Sequence, residues 1–235
     1  MTVGPEGYLD GITATGIVLS CAIFGLLSLY KSIKLKAKLL SVAGILMFFV
    51  GFLWLGPTVD FFLLLITGYN LEPHFIYVLY SYTWVAPALF FAMYLGGELL
   101  VPKIKWVLVG IFLVLGIIFE YFLWTQPLPG QSFETIDIEF QYGLIDASFN
   151  RAHPTFILVA IFLVSALIFL GIGSAIKAKQ ATGILRRKFV YMSIGFIIFV
   201  LCGALDSIVP VLQIIGIIRV VMMSFSIFMY LGLRT

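Results

Sequence analysis

The sequence predicts an all-α polytopic membrane protein with seven transmembrane helices, N-terminus outside and C-terminus inside, formed by a single domain over residues 1–235. Three observations carry this reading. Hydrophobic residues fill 62% of the 235 positions and charged residues 11%, and apolar runs of about twenty residues recur, the length that crosses a hydrocarbon core. The runs lack the short alternating segments of a barrel, and a bilayer satisfies backbone groups only in helices or closed barrels, so the runs are helices. Finally, of the 14 basic residues only Arg151 and Arg219 lie away from alternate connections and the C-terminus, whereas of the 11 acids only Glu98 lies among them. That asymmetry sets the orientation by the positive-inside rule.

The N-terminal tail MTVGPEGYLDG carries Glu6 and Asp10 without a lysine or arginine, so it lacks the basic start of a cleaved signal and is placed outside. The first span is expected from Ile12 to Tyr30, followed at once by Lys31, Lys34, Lys36 and Lys38, an inner loop. The second starts at Leu39 and reaches the outer boundary near Gly56 and Pro57, counting about 1.5 Å per residue. Asp60 falls just beyond, and Phe61 to Ile66 reads as a short interfacial piece.

The third span runs from Phe75 to Leu95, with Tyr77, Tyr80, Tyr82 and Trp84 in its outer half and a kink expected at Pro87. These aromatics suit either an interfacial belt or a ligand-lining surface. Glu98, Lys103 and Lys105 mark the inner turn, and the fourth span rises from Trp106 to Trp124.

An outer loop of about thirty residues, Thr125 to His153, separates the fourth and fifth spans. Ile136, Ile138, Phe140 and Tyr142 alternate there with Asp137, Glu139 and Gln141 until Gly143, a period of two that predicts a strand or small hairpin over the mouth of the bundle. Pro154 opens the fifth span, which ends near Ile176 before Lys177, Lys179, Arg186, Arg187 and Lys188. The sixth span covers Phe189 to Leu205. The seventh begins near Pro210 and ends at Gly232, leaving Arg234 inside.

Glu120, Asp206 and Arg219 are the charges left within apolar runs. Counted from the inner anchors, Glu120 and Arg219 stand about 22 Å up and Asp206 about 27 Å, all in the outer third of the bilayer. Tyr80 and Tyr82 fall in the same layer. The tight turn from Ser207 to Pro210 makes the last two helices antiparallel neighbours, which pairs Asp206 with Arg219. An arginine inside an apolar run costs roughly 2.5 to 3.5 kcal/mol, so a polar cluster or ligand site of Asp206, Arg219, Glu120, Tyr80 and Tyr82 is expected here, beside the plainer alternative of a register-fixing or snorkelling pair.

The other candidates point to packing. Cys21 and Cys202 sit at different depths, which argues against a disulfide. Gly44 with Gly51, and Gly195 with Gly203, read as close helix contacts. His74 and His153 adjoin prolines at outer helix entrances, and with Glu72 or Asp146 offer at most a pH-sensitive or metal-binding patch. No HExxH, paired intramembrane aspartates or phosphate-binding glycine loop occurs, so no catalytic residue, metal, cofactor or enzymatic activity is expected. A retinal protein would need a lysine where the seventh helix has Arg219. No nucleic-acid partner is expected, since the net charge of +3 averages two faces of opposite sign.

The block RRKFVYMSIGFIIFVLCGALDSI with IIGIIRVVMMSFSIFMYLGL resembles the last two helices of the seven-helix sensory region at the N-terminus of many prokaryotic histidine kinases, and stand-alone archaeal seven-helix membrane proteins. No kinase or cyclase output domain follows, so the resemblance implies a sensing module that signals through a separate partner. The expectation is a receptor-like sensor in a prokaryotic cell membrane. It would bind a small ligand in the outer half of the bundle and dock a cytoplasmic signalling protein at Lys31, Lys34, Lys36, Lys38, Arg186, Arg187 and Lys188. A small-solute transporter built as three spans, a linker span and three spans, or a non-catalytic scaffold subunit, are the alternatives.

Overall fold

The computed structural model describes residues 4–125, 136–141, 143–209 and 212–234. Tyr142 and Pro210 of the sequence reading lie outside the described residues. The chain is mostly helical: α1 (Pro5–Leu35), α2 (Lys38–Phe52), α3 (Leu55–Thr67), α4 (Phe75–Tyr82), α5 (Val85–Leu100) and α6 (Lys105–Thr125), then a hairpin of β1 (Ile136–Gln141) and β2 (Leu144–Phe149), then α7 (Pro154–Ala166), α8 (Gly173–Gln180), α9 (Gly183–Asp206) and α10 (Leu212–Leu233). Among the described residues, six helical segments are long and apolar enough to cross a membrane, α4 with α5 counting as one (Phe75–Leu100) and α7 through α8 as another (Pro154–Gln180); α2 and α3, bent by 50°, make a seventh if they count as one span.

The first helix begins seven residues before the expected Ile12. Pro5 stands in its first turn, where a missing N–H costs nothing, and Glu6 follows in the same turn, where an acid suits the helix dipole. Asp10 is therefore helical, and its position on α1 matters below.

Two prolines explain the breaks. A helical proline removes the hydrogen bond to the carbonyl four residues back and clashes with it. For Pro57 that residue is Leu53, and for Pro87 it is Thr83. The helices break at Leu53–Trp54 and at Thr83–Trp84, so the interruption associated with Pro87 lies one turn upstream of it, within a stretch that still runs as one span from Phe75 to Leu100. Trp-Leu-Gly-Pro (54–57) and Trp-Val-Ala-Pro (84–87) repeat one pattern at both breaks. Leu167–Ile172 between α7 and α8 is π-helical, and Ser193 Oγ on α9 donates to its Gly171 carbonyl (2.8 Å).

Helix α1 packs along α2 and α10, α10 along α9, and α9 against α8 and the π segment, which lean on α5; α5 closes the ring on α2. The core within it includes Ile17, Met47, Met93, Phe196, Phe225 and Met229. Helix α6 lies outside, packed mainly on α5, and leaves Trp106, Ile111, Val114, Ile117 and Tyr121 exposed.

Glycines admit the close approaches. A Cβ on Gly44 would stand 3.0 Å from the Gly25 carbonyl oxygen, and one on Gly51 would stand 2.6 Å from Cys21 Cβ. Gly195 is similarly close to Phe228, at 3.1 Å. A Cβ on Gly203 would meet open space, so the close contact expected there is absent: Gly203 faces away from the neighbouring helices while Cys202 beside it is buried in the core. Cys21 and Cys202 are buried free thiols.

The alternating segment is the first strand of an antiparallel hairpin, with Ile136 opposite Phe149 and Gln141 opposite Leu144. Gly143, at φ 89°, takes a turn conformation that suits glycine. Ile136 and Ile145 are buried against the helices. The hairpin caps the end of the bundle that holds Asp10, Asp60 and Asp206; the opposite end carries the lysine-rich turns.

Candidate functional site

Arg219 is built into α10 and is only 9% exposed. Its Nε donates to Asp206 Oδ1 on α9 (2.9 Å), the pair expected from the tight turn. Its Nη1 donates to Asp10 Oδ1 on α1 (2.5 Å) and approaches the Asp10 carbonyl (3.3 Å). One guanidinium therefore joins three helices. Gly216 and Gly11 permit it, since a Cβ on Gly216 would meet Leu9 at 2.9 Å and one on Gly11 would overlap the Phe61 ring at 2.1 Å. Thr13 Oγ donates to the Asp10 carbonyl (3.1 Å) and to that of Leu9 (2.8 Å), which fixes the turn.

Asp10 is the member of this centre that the hydropathy of the tail hides. The usable signal was the proline-acid start of a helix at Pro5 and Glu6, which carries Asp10 up onto the bundle.

Tyrosines and a further acid surround the centre. Tyr77, 4% exposed, lies within range of the charges of Asp10, Asp146 and Arg219, as does Tyr82 of Asp146, Asp206 and Arg219. Tyr82 donates its hydroxyl to the Ala147 carbonyl (2.7 Å) and packs its ring against that of Phe149 at a tilt of 54°, tying α4 to the hairpin. Tyr80, 40% exposed, lies on the surface of the same helix. Asp146 keeps open surface on β2. Partial removal from water pushes its carboxyl above the ordinary range, and Asp10 and Asp206 push the same way against the pull of Arg219.

A second buried carboxylate holds the hairpin down. Asp60 on α3 is fully enclosed, and accepts from the backbone N–H of Leu71 (2.8 Å) and of Ile145 (3.0 Å) and from Asn70 Nδ2 (3.1 Å). Asn70 Nδ2 also donates to the Gly143 carbonyl (2.8 Å). Hydropathy placed Asp60 beyond the boundary; its role depends on residues 85 positions away.

Glu120 lies apart from this centre. Its Oε2 accepts from Trp124 Nε1 (3.1 Å), and it ends a groove between α5 and α6. The histidines have local duties. His74 Nδ1 donates to the Leu71 carbonyl (3.1 Å) and its ring meets Phe140; His153 caps α7 by accepting from the Thr155 N–H (3.2 Å). Among the described residues no group of three or more His, Cys, Asp or Glu is placed to hold a metal ion.

No protein-family model and no curated protein matches this chain.

Proposed function

We propose that this chain is a multi-pass, receptor-like sensor module of a prokaryotic cell membrane, with seven spans, the hairpin end outside and the basic turns inside. Six apolar helices and a bent seventh are compatible with that plan, and the clustering of lysine and arginine at one end supports the orientation. The ligand is a small cation, taken at the hairpin end by Asp10, Asp206 and Asp146, and a signalling partner docks on the basic loops.

One observation carries the reading: a single guanidinium holds two carboxylates from separate helices, under a hairpin, with a third acid at the rim. The local balance is acidic, so an entering cation or proton competes with Arg219 for Asp10. Loss of that contact frees α1 from α10. Helix α1 is a rod of 31 residues, about 46 Å long, whose far end carries Lys31 and Lys34. Displacement at Asp10 is thereby delivered to the basic end.

A thermal-unfolding series of the full chain in neutral detergent tests this with small organic cations. The expected result is stabilisation by at least one cation class, lost in Asp10→Asn and Asp206→Asn. Absence of any shift, together with solute flux in liposomes, would contradict it. The transporter reading draws on one feature, the position of α6 outside the ring of the other spans, as suits a linker between two three-span halves. Flux abolished by Asp206→Asn would favour it.

A further inference from the structure

A second site stands on the lateral surface. Helices α5 and α6 enclose a groove of about 430 Å³, walled by Pro87, Phe90, Phe91, Leu113 and Ile117 and closed at the hairpin end by Glu120. Its origin is local. The break before Pro87 interrupts the helix there, and a Cβ on Gly116 would stand 3.2 Å from Ala86 Cβ, so small residues sit where side chains would otherwise fill the seam. Leu113 and Glu120 are two turns apart on α6, which makes the groove about 10 Å long. Ile117 and Leu113 are exposed on the outward face of α6, so the groove opens where acyl chains would lie.

The chemistry of the groove is one-sided. Its walls are apolar, and its one charged group is Glu120. A carboxylate offers about four acceptor sites; Trp124 donates to Oε2 and the Ala86 backbone N–H stands beside the carboxyl, while Oε1 is enclosed without a partner at hydrogen-bond distance, and neither donor carries a charge. The ion pairs among the described residues are Lys105 with Glu98 and Arg219 with Asp10 and Asp206, so none neutralises Glu120. In a low-dielectric seam an uncompensated carboxylate is expensive.

We infer that this groove binds a single-chain amphiphile whose alkyl chain lies along Phe90, Phe91 and Leu113 and whose protonated primary amine meets Glu120. The amine supplies both the missing positive charge and N–H donors. A bare hydrocarbon chain would fill the walls but leave the carboxylate as it is. A fatty acid would add a like charge.

The test uses the full chain in phosphatidylcholine nanodiscs and a long-chain primary amine bearing a diazirine, beside the alcohol of the same chain. Crosslinked peptides are mapped after photolysis. The amine is expected to label the α5 and α6 groove about tenfold more than the alcohol, the ratio that one charged hydrogen bond sustains. Glu120→Gln, which keeps the shape and a partner for Trp124, is expected to remove that preference. Ile117→Trp, a change at an exposed position that fills the groove, is expected to remove labelling by both probes, and decides the matter if the glutamine variant fails to fold. Equal labelling by amine and alcohol would mean an ordinary acyl chain occupies the groove and would overturn the inference. So would an unlabelled groove with copies of the chain crosslinked through α6. Neither result bears on Asp10, Asp206 or Arg219, so failure here leaves the sensor reading to its own test.

Discussion

Asp60 and the Arg219 centre both hold carboxylates at the hairpin end, fully enclosed at Asp60 and partly buried at Asp10 and Asp206, and they are satisfied in different ways. Asp60 takes backbone N–H groups and an amide, donors whose positions are set by the chain itself. Asp10 and Asp206 take a side chain that carries a charge and has rotatable bonds. The first arrangement can be released only by lifting the hairpin. The second can be released by any cation that replaces the guanidinium. A fixed latch beside an exchangeable clasp is the division of labour that the proposed sensor would require.

The comparison is broken most severely by removing the shared cation. Arg219→Gln leaves two partly buried carboxylates without their shared cation; stripping one partner from a fully buried pair costs about 3–5 kcal/mol, and the loss here is expected toward the lower end of that range. The expected result is the largest fall in Tm of any single variant at this end; a wild-type Tm would mean that both acids are solvated. Asp60→Ala ranks next. It strands the N–H groups of Leu71 and Ile145, about 1–3 kcal/mol for each unsatisfied group, and amide exchange at Ile145 is expected to speed up while that of α10 stays slow. Equal acceleration in both would merge latch and clasp into one unit.

Much of this was legible in the sequence. Apolar runs bounded by lysine clusters predicted the helices, alternation from Ile136 to Tyr142 predicted the strand, described over Ile136–Gln141, and the short turn after Asp206 predicted its pair with Arg219. The missing parts share a cause. Hydropathy reads composition along the chain, so it began the first helix at Ile12 and left Asp10 in a tail. It cannot supply helix rotation, which takes Glu120 to the groove and turns Tyr77 inward while Tyr80 faces out. Nor can it find a latch whose donors, at Leu71 and Ile145, lie in separate segments.

Smaller effects sharpen the contrast. Asp10→Asn or Asp206→Asn leaves Arg219 with one carboxylate, so each alone is expected to cost about 1–2 kcal/mol, measured by denaturation in detergent. The double variant strands the guanidinium and is expected to lose more than the two losses added. Simple additivity would show that the two acids act independently.

The mildest change is at Asp146. Its raised carboxyl means that the folded state binds the proton more tightly than the unfolded state does. That stabilisation is complete below the ordinary carboxylate range and is lost as pH rises through the elevated folded value. Asp146→Asn is therefore expected to raise Tm slightly at neutral pH and to leave it unchanged in acid. The same offset at both pH values would remove Asp146 from the acid cluster.

The clasp itself is tested most directly by a double-mutant cycle on Asp10→Asn and Arg219→Gln, read as unfolding free energies of the full chain in one detergent. These residues are 209 positions apart, so local structure supplies no coupling between them. The account predicts a coupling of about 1–3 kcal/mol. Additive losses within about 0.5 kcal/mol would show that Arg219 does not hold α1, and would contradict it.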